Sequence, residues 1–527
     1  MNLHAFAALV LNEVRLRSRR TSTLVVMLAM VALAWLMIAD PHSGRAMMVV
    51  SQQRMIYDSN AISFGTALLS GMMFGIAGFY LSRGRSELDL RHGCGQVLGA
   101  TPVNSAMLLL SRWLGALLFL CAMAGVVMLG CMVMQAVRGE APVQPLIYLR
   151  SYALTLLPTL MLAASLATLC DAWVPLMGKR GDLLFFVLWI AQFSALPATM
   201  IDADKNLSAL QLHSWLALDV SGIAAQALRF SQLTLQPNLA VGGSSFDASL
   251  PLLTFPDGFW NGEMLLLRLA SALLALLPLL PALGLFHRFA PDRVRVRQSA
   301  QRPLWARALR RLTQPLARLV ARALGLAARW PGAGGQIVAD MLLALICLPV
   351  AIAVLPLLWL LGLTLPSEHL PALLAAAVAC WGVLVSELPA RDQQSGTAAL
   401  RAALPGGAVG RYQRQWLATL LLGLLFTVPS GWRWLAQAPL HAAALCAGLV
   451  LVSGIGSLLA QSTGGGRSAL ALFAFGFYLT TQVRDVAWFD AFGYNAAATP
   501  SSCAALLLGG LGAAALGRWL LQQEHRS

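Results

Sequence analysis

The chain has 527 residues, of which 58% are hydrophobic and only 11% are charged. This balance excludes an ordinary soluble domain, in which about a quarter of the residues are charged, and it predicts a polytopic membrane protein. The formal net charge of +15 does not indicate nucleic-acid binding, because basic segments beside membrane spans explain such an excess.

Apolar runs of about 17 to 25 residues are long enough to cross a hydrocarbon core about 30 Å thick. We predict twelve such spans, which form an all-α polytopic fold of two parallel six-helix repeats. The spans cover residues 23–39, 61–82, 106–134, 146–170, 183–200, 264–286, 337–363, 371–386, 415–432, 439–460, 468–483 and 501–521.

The first predicted element, residues 1–20, is amphipathic and carries its arginines after its apolar residues. This order is the reverse of a cleaved signal peptide, so we interpret the segment as an uncleaved helix at the membrane surface. It begins a first transmembrane domain that we expect to cover residues 1–286.

Charge, glycine and proline occur together between the second and third spans, in RHGCGQVLGATPV, residues 91–103. A phosphate-binding loop needs a lysine after a glycine-rich turn, and Lys179 and Lys205, the only lysines of the chain, lie elsewhere without that pattern. We therefore expect no nucleotide hydrolysis by this chain and no bound cofactor. His92 and Cys94 lack the further ligands that a metal site needs.

The same stretch suits a short helix that transmits a push to the spans on either side. Val97 and Leu98 supply a small apolar face, and we expect Thr101 to cap the following helix with Pro102 in its first turn. An ordinary polar loop explains these residues equally well. In the span that follows, Arg112 is expected to extend toward lipid phosphates.

Residues 287–331 hold eleven arginines and a single acid, Asp292. We interpret this segment as a cytoplasmic linker, because cytoplasmic segments are enriched in Lys and Arg, and this assignment puts both termini in the cytoplasm. At 100° per residue, part of the segment predicts an amphipathic helix whose basic face lies on lipid phosphates. The arginines of this face are Arg307, Arg311, Arg318, Arg322 and Arg329.

A second transmembrane domain is predicted over residues 332–527, and the loop after its second span resembles the loop described above. Both loops begin Ser-Glu-Leu, and in both a tryptophan follows a proline by eleven residues. The matching positions are Glu87 and Glu387, Gly95 and Gly396, Pro102 and Pro405, and Trp113 and Trp416. Because the two loops occupy the same place in two groups of six spans, we interpret them as parts of a diverged parallel duplication.

The pattern resembles the permease subunits of ABC-2 type exporters. In that family a glutamate near the inner end of the second span is followed by charged residues, a glycine, an apolar stretch and a proline before the third span. The matching residues are Glu87, Gly95, Val97, Leu98, Thr101 and Pro102 in the first half, and Glu387, Gly396, Thr397, Leu400 and Pro405 in the second. The second loop departs from the pattern at Pro389 and Gly406-Gly407, so we expect the two halves to engage their partner unequally.

In that family the segment is a coupling helix that docks into a separate ATPase. The resemblance therefore implies a permease that is not itself an enzyme and that exports an unknown substrate across a bacterial inner membrane. Its partners would be soluble ABC ATPase subunits, which use ATP and magnesium, and membrane lipids, with no nucleic acid. The resemblance also implies an interface helix over residues 1–20 and re-entrant structure within residues 201–262.

Two other classes of protein compete with this interpretation. A secondary transporter of the major-facilitator kind also has twelve spans and a basic central loop, but its GxxxDRxGR pattern does not fit residues 84–90. Asp340, near the inner start of the seventh span, is too shallow for a proton relay, and Arg414 is expected to extend toward lipid phosphates. A membrane-embedded enzyme would need a catalytic constellation, and we find none in the sequence.

Overall fold

Helices make up 76% of the part of the chain that the computed structural model describes. The structure describes residues 3–19, individual residues between 23 and 37, and residues 38–91, 93–178, 180–189, 219–234, 239–290, 318–347, 349–397, 406–482 and 486–524. The chain divides into two units, Met1–Gln298 and Ser299–Ser527.

The first unit begins with helix α1 and continues through long apolar helices. Their starts follow local sequence signals. Asp58 accepts a hydrogen bond from the Ala61 amide (2.8 Å) before α2, and Asn261 accepts one from the Met264 amide (2.9 Å) before α9, as N-cap residues do. The helices are α1 (Leu3–Ser18), α2 (Ser59–Ser82), α3 (Arg85–Arg91), α4 (Cys94–Ala100), α5 (Ser105–Arg138), α6 (Pro145–Thr155), α7 (Leu157–Ala172), α8 (Ile223–Thr234), α9 (Gly262–Leu274) and α10 (Leu279–Leu285).

A small antiparallel sheet lies in the first unit, which an all-α prediction did not include. Its strands are β1 (Arg45–Val50), β2 (Gln53–Arg54) and β3 (Leu239–Ser245), in the order β2-β1-β3. Within the predicted re-entrant segment 201–262, the described residues form α8 and β3. The central strand β1 is buried over five of its six residues, so the sheet is part of the core of this unit.

The sheet is anchored by Tyr57 and by an ion pair. The Tyr57 hydroxyl donates to the Ala39 carbonyl oxygen (2.8 Å) and accepts from the Met47 amide (2.8 Å), and burial raises the pKa of Tyr57 to about 12. Arg54 and Glu140 form two parallel hydrogen bonds of 3.0 and 2.7 Å. These contacts join the strands to the end of α5.

The fourth predicted span is bent by 41° between α6 and α7, and a buried arginine stabilises the bend. Pro158 has no amide hydrogen, so the carbonyl oxygen of Leu154 loses its normal helical donor. Arg268 of α9, which is only 2% exposed, donates to this oxygen through Nε (2.8 Å) and to the Thr155 carbonyl oxygen through Nη2 (3.0 Å). The guanidinium therefore replaces the missing backbone donor.

The second unit is helical throughout its described part. Helix α16 packs against both α17 and α18, and α15 packs against α11, α13 and α16. The helices are α11 (Ala333–Cys347), α12 (Pro349–Thr364), α13 (Leu370–Val385), α14 (Arg391–Gln394), α15 (Gly407–Gln437), α16 (Pro439–Thr463), α17 (Gly466–Gln482) and α18 (Pro500–Glu524).

Seven helices of the described chain are long and apolar enough to cross a membrane, or nine when the bent pairs α6–α7 and α11–α12 are each counted as one span. The fold is therefore helical and polytopic, as predicted, and nine of the predicted spans coincide with these helices. Predicted spans 23–39 and 183–200 lie partly outside the described residues, and 468–483 corresponds to α17, which has 17 residues. The total of twelve spans and their duplication stay predictions.

Candidate functional site

The first loop, residues 83–104, joins α2 to α5 through α3 and α4, and its start is tied to α7. The carboxylate of Asp171 accepts hydrogen bonds from the amides of Gly84 (3.0 Å), Arg85 (2.8 Å) and Ser86 (3.3 Å). These are amides that the first turn of a helix leaves without a backbone partner. Helix α7 therefore caps α3 and fixes where the loop begins.

Arg83, one residue earlier, anchors the segment that follows α7. Its side chain is completely buried and forms an ion pair with Asp182. It also donates to the carbonyl oxygens of Leu176 and Gly178, the latter at 2.8 Å. The end of α2 is thus held to residues on both sides of the turn after α7.

Five charged side chains from three helices form what we call the first cluster, an unbroken row of alternating charge. In the row, Glu13 lies between Arg17 (2.5 Å) and Arg85 (3.1 Å). Asp89 likewise lies between Arg85 (3.2 Å) and Arg112 (2.5 Å). The row connects helix α1 to the loop helix α3 and to the apolar helix α5.

The arginines of the first cluster stabilise the negative charge of Glu13. Burial raises the pKa of the Glu13 carboxyl, but the positive charges of Arg17, Arg85 and Arg112 outweigh this effect, and the net pKa lies below its ordinary value. The carboxyl is therefore ionised at neutral pH. A buried charge that loses all of its partners destabilises a protein strongly, and here each acid contacts two arginines.

The expectation that Arg112 extends toward lipid phosphates is wrong. The residue is only 6% exposed, and besides Asp89 it donates to the Ser86 hydroxyl (2.8 Å) and lies 5.2 Å from the centre of the Phe289 ring. Because these partners are within the protein, the arginine positions the loop and does not anchor the lipid surface.

The predicted coupling residues of the first loop divide between its two faces. Glu87 lies half-buried in the first turn of α3. On α4, Val97 is 70% exposed, whereas Leu98 packs against the buried cluster that contains Phe289. A side chain at Gly95 would have its Cβ 2.7 Å from the Phe289 ring, so only glycine lets α4 approach this closely. The loop is therefore packed on one side and presents an apolar residue on the other.

Thr101 and Pro102 do not have the predicted roles at the start of α5. Thr101 ends α4 instead, and its hydroxyl donates to the Leu98 carbonyl oxygen (2.7 Å). Pro102 lies in the turn between the helices, and Asn104 caps α5 by accepting from the Ala106 amide (3.1 Å). The cap lies three residues later than predicted, because the Thr101 hydroxyl bonds back to α4 and Asn104 is the residue next to the start of α5.

The end of the first loop is held by Arg288, which was predicted to belong to the linker. Its Nη2 donates to the carbonyl oxygens of Thr101 (2.9 Å) and Val103 (3.0 Å). Arg288 and Phe289 both have positive φ, 45° and 58°, in a turn that presents the guanidinium and the ring to α4. This tight turn places residues 287–290 within the first unit.

The second loop, residues 386–406, contains the short helix α14 and a simpler arrangement of charge. We call Asp340, Asp392, Arg411 and Gln415 the second cluster. Arg411 of α15 binds Asp340 of α11 at 2.5 and 2.9 Å and Asp392 of α14 at 3.0 Å. Gln415 donates to Asp392 at 3.2 Å. One guanidinium therefore joins the loop to two membrane helices.

The predicted residues of the second loop are more exposed than those of the first. Glu387 is half-buried, whereas Gly396 and Thr397 are exposed. Gly396 has a φ of +71° and open space around it, so it supports a turn and not a close contact. Leu400 and Pro405 lie outside the described residues.

The two clusters share one hydrogen-bond contact that was not predicted from the sequence. The residue immediately before the matching tryptophan, Arg112 or Gln415, donates to an aspartate of its own loop, Asp89 or Asp392. The sequence contained a signal for this contact, because each loop has an aspartate and a polar residue follows each matching proline by ten positions.

The expectation that Arg414 extends toward lipid is wrong, because this residue is only 9% exposed.

The structure describes part of the predicted basic face of the linker. Residues 318–329 are helical, and Arg318, Arg322 and Arg329 are exposed on this helix. Arg307 and Arg311 lie outside the described residues. The exposed arginines are available to anionic groups, as a lipid-binding face requires.

Neither a metal nor a small substrate has an evident place at these clusters. Among the described residues, no group of three or more His, Cys, Asp and Glu side chains could hold a metal ion. A cavity of about 20 Å³ is lined in part by Arg17, Arg85 and Arg112 of the first cluster, which is room for about one water molecule. The geometry can hold helices together but cannot enclose a substrate.

No protein-family model, curated protein or solved structure matches the chain.

Proposed function

We propose that the chain is the permease of an ABC-type exporter, driven by ATP hydrolysis on a separate soluble subunit. The observation that carries this proposal is the construction of the two loops. Each contains a short helix that ion pairs connect to membrane helices of its own unit, through the buried Asp89 and Arg112 in the first and through the half-buried Asp392 and Arg411 in the second.

Such a construction suits the transmission of force. A push on the exposed face of α4, at Val97, acts through α3 on α1 and α5, because the first cluster joins all three helices. In the second unit a push on α14 acts on α11 and α15 through Arg411. A polar loop that only connects two spans has no need of a buried ion-pair network, which is costly to desolvate.

The proposal has further parts, which extend the prediction from the sequence. The loops face the cytoplasm of a bacterial inner membrane, with both termini on the same side. ATP and magnesium are bound by the ATPase subunits and not by this chain. The exposed arginines of residues 318–329 lie on the phosphates of membrane lipids.

The test is recovery of an ATPase with the intact chain from native membranes in a mild detergent. The variant Val97→Asp places a charge on the exposed face of α4, and Leu252→Asp is a matched control because Leu252 is also an exposed apolar residue outside the predicted spans. We expect the wild type and the control to retain a soluble ATPase and its hydrolysis activity, and Val97→Asp to lose both while remaining folded.

Equal recovery of the ATPase with all three proteins would contradict the role of α4. A chain that carries no ATPase, and that dissipates an imposed proton gradient in vesicles containing a pH-sensitive dye, would support the major-facilitator alternative.

A further inference from the structure

The second unit contains an apolar cavity of about 300 Å³. It is lined by α13, α16 and α17, with further contributions from α15, residues 488–492 and α18. This volume is at the lower end of the range typical of small-molecule sites. Nothing in the proposed coupling role accounts for it.

The cavity is elongated along α17. The residues of α17 that line it recur at helical spacing from Ala469 through Leu472, Phe473, Gly476 and Phe477 to Thr480, which is one continuous face of the helix. At 1.5 Å per residue this face is about 16 Å long. Half of a hydrocarbon core about 30 Å thick is nearly the same length, so the cavity can accept a chain that spans one leaflet.

The lining has no charged side chain, and its hydroxyl groups are already occupied. Ser386 donates to the Val383 carbonyl oxygen (3.0 Å). Thr419 and Thr480 donate to carbonyl oxygens of their own helices, each at 2.8 Å. Because no hydroxyl donor is left to recognise a polar ligand, the chemistry of the cavity favours a hydrocarbon.

The cavity also lies beside surface that is open to lipid. Leu506 belongs to α18, whose apolar window is only 17% buried, and Trp488, another lining residue, is 59% exposed. Tryptophan is enriched where protein meets the membrane interface. The surrounding membrane can therefore supply a lipid-like molecule to the cavity, and Trp488 is suited to contact the polar end of that molecule.

We propose that this cavity binds one aliphatic chain of a membrane lipid or of a lipid-like amphiphile. An empty apolar cavity of this size loses the dispersion contacts that a filled one would make, and a hydrocarbon chain restores them. The proposal concerns the second unit alone and holds whether or not an ATPase drives the protein.

Two glycines allow the cavity to be filled by mutation. Gly456 of α16 and Gly476 of α17 line the cavity, and a Cβ added at either position meets no atom within 4 Å. The variants Gly456→Leu and Gly476→Leu therefore place a side chain where the ligand would lie. Gly512→Leu is the matched control, because Gly512 of α18 has equally open space but does not line the cavity.

The experiment reconstitutes the full chain in phospholipid vesicles that contain palmitate carrying a photoactivatable diazirine. After illumination, mass spectrometry locates the label. We expect labelling within residues 451–480 in the wild type and in Gly512→Leu, and labelling reduced to background in Gly456→Leu and Gly476→Leu. Excess unlabelled palmitate should compete with the label in the wild type.

Labelling that both filling variants leave unchanged, or that unlabelled palmitate does not reduce, would overturn the proposal. The competition uses only the wild type, so it decides the matter even where a filling variant does not fold.

A diacyl phospholipid probe identifies the source of the chain when an ATPase copurifies. Labelling by the diacyl probe that persists during ATP hydrolysis assigns the chain to a resident membrane lipid. Labelling by the single-chain probe that is lost during ATP hydrolysis assigns it to a transported amphiphile. In either case the aliphatic site is supported.

Discussion

The two loops are held to their units by different distributions of charge. In the first cluster each acid contacts two arginines, since Glu13 lies between Arg17 and Arg85 and Asp89 lies between Arg85 and Arg112. In the second cluster both acids bind Arg411, with Gln415 on Asp392 and the more distant Arg391 near Asp340. The difference teaches that each acid of the first attachment lies between two arginines, whereas one arginine makes the close contacts to both acids of the second.

The largest expected effect follows from removing that side chain. In Arg411→Met, Asp340 keeps Arg391 at 3.9 Å, and Asp392 keeps the Gln415 amide. We expect the free energy of unfolding to fall by about 3 to 5 kcal/mol, as when a buried pair loses one partner. Thermal unfolding followed by tryptophan fluorescence measures the loss.

The control for Arg411→Met is Arg329→Met, which removes an exposed arginine. Adding Asp392→Asn to Arg411→Met should recover part of the stability. A loss below about 1 kcal/mol, the value typical of surface pairs, would show that Arg411 does not carry the second attachment.

A smaller effect is expected when the first cluster loses Arg112. In Arg112→Met the carboxylate of Asp89 still has Arg85 at 3.2 Å, so we expect a loss of about 1 to 3 kcal/mol. The same unfolding measurement applies, with the exposed Arg150→Met as the control. If Arg112→Met were more destabilising than Arg411→Met, the redundancy of the first cluster would be refuted.

The matching glycines of the two loops should respond differently to alanine. In Gly95→Ala the new methyl group would lie 2.7 Å from the Phe289 ring, so we expect about 1 to 2 kcal/mol of destabilisation from overpacking and faster hydrogen exchange in α4. In Gly396→Ala the space is open and only the positive φ is unfavourable, at about 1 kcal/mol. Equal exchange in α4 for Gly95→Ala and the wild type would contradict the close packing on Phe289.

The smallest effect concerns pH and belongs to the first cluster. The neighbouring arginines hold the pKa of Glu13 below its ordinary value of 4.5, so the folded protein binds the proton less readily than the unfolded chain does. The stability contributed by the Glu13 carboxylate is thus fully present above pH 4.5 and is lost as pH falls through the lowered pKa. The melting-temperature difference between the wild type and Glu13→Gln should shrink below pH 4.5. A difference that is constant between pH 7 and pH 4 would be inconsistent with this coupling.

The sequence predicted the membrane helices well because hydropathy is a local property. Nine predicted spans coincide with apolar helices of sufficient length, and the loops between α2 and α5 and between α13 and α15 lie where they were expected. The sheet was missed for a physical reason. Its strand β3 contains Gly242 and Gly243, which weaken a strand signal, and its partner β1 is nearly two hundred residues earlier in the chain.

The candidate site was predicted only in part because its contacts are not local. Glu87, Gly95 and Leu98 were identified from the pattern of the loop, but the reason for Gly95 is Phe289, which is far along the chain. Arg112 was expected to extend toward lipid because its position near the end of a span is typical of such residues. Only the position of Asp89 shows that this arginine has a partner inside the protein.

The bend between α6 and α7 has a consequence for the evolution of the chain. Pro158 removes a backbone donor and Arg268 supplies one, although the two residues are 110 positions apart. The two residues depend on each other. A proline without the arginine leaves the Leu154 carbonyl oxygen without a hydrogen-bond donor, and an arginine without the proline is a buried charge that has one acceptor fewer. In an alignment of relatives, we therefore expect the two positions to change together.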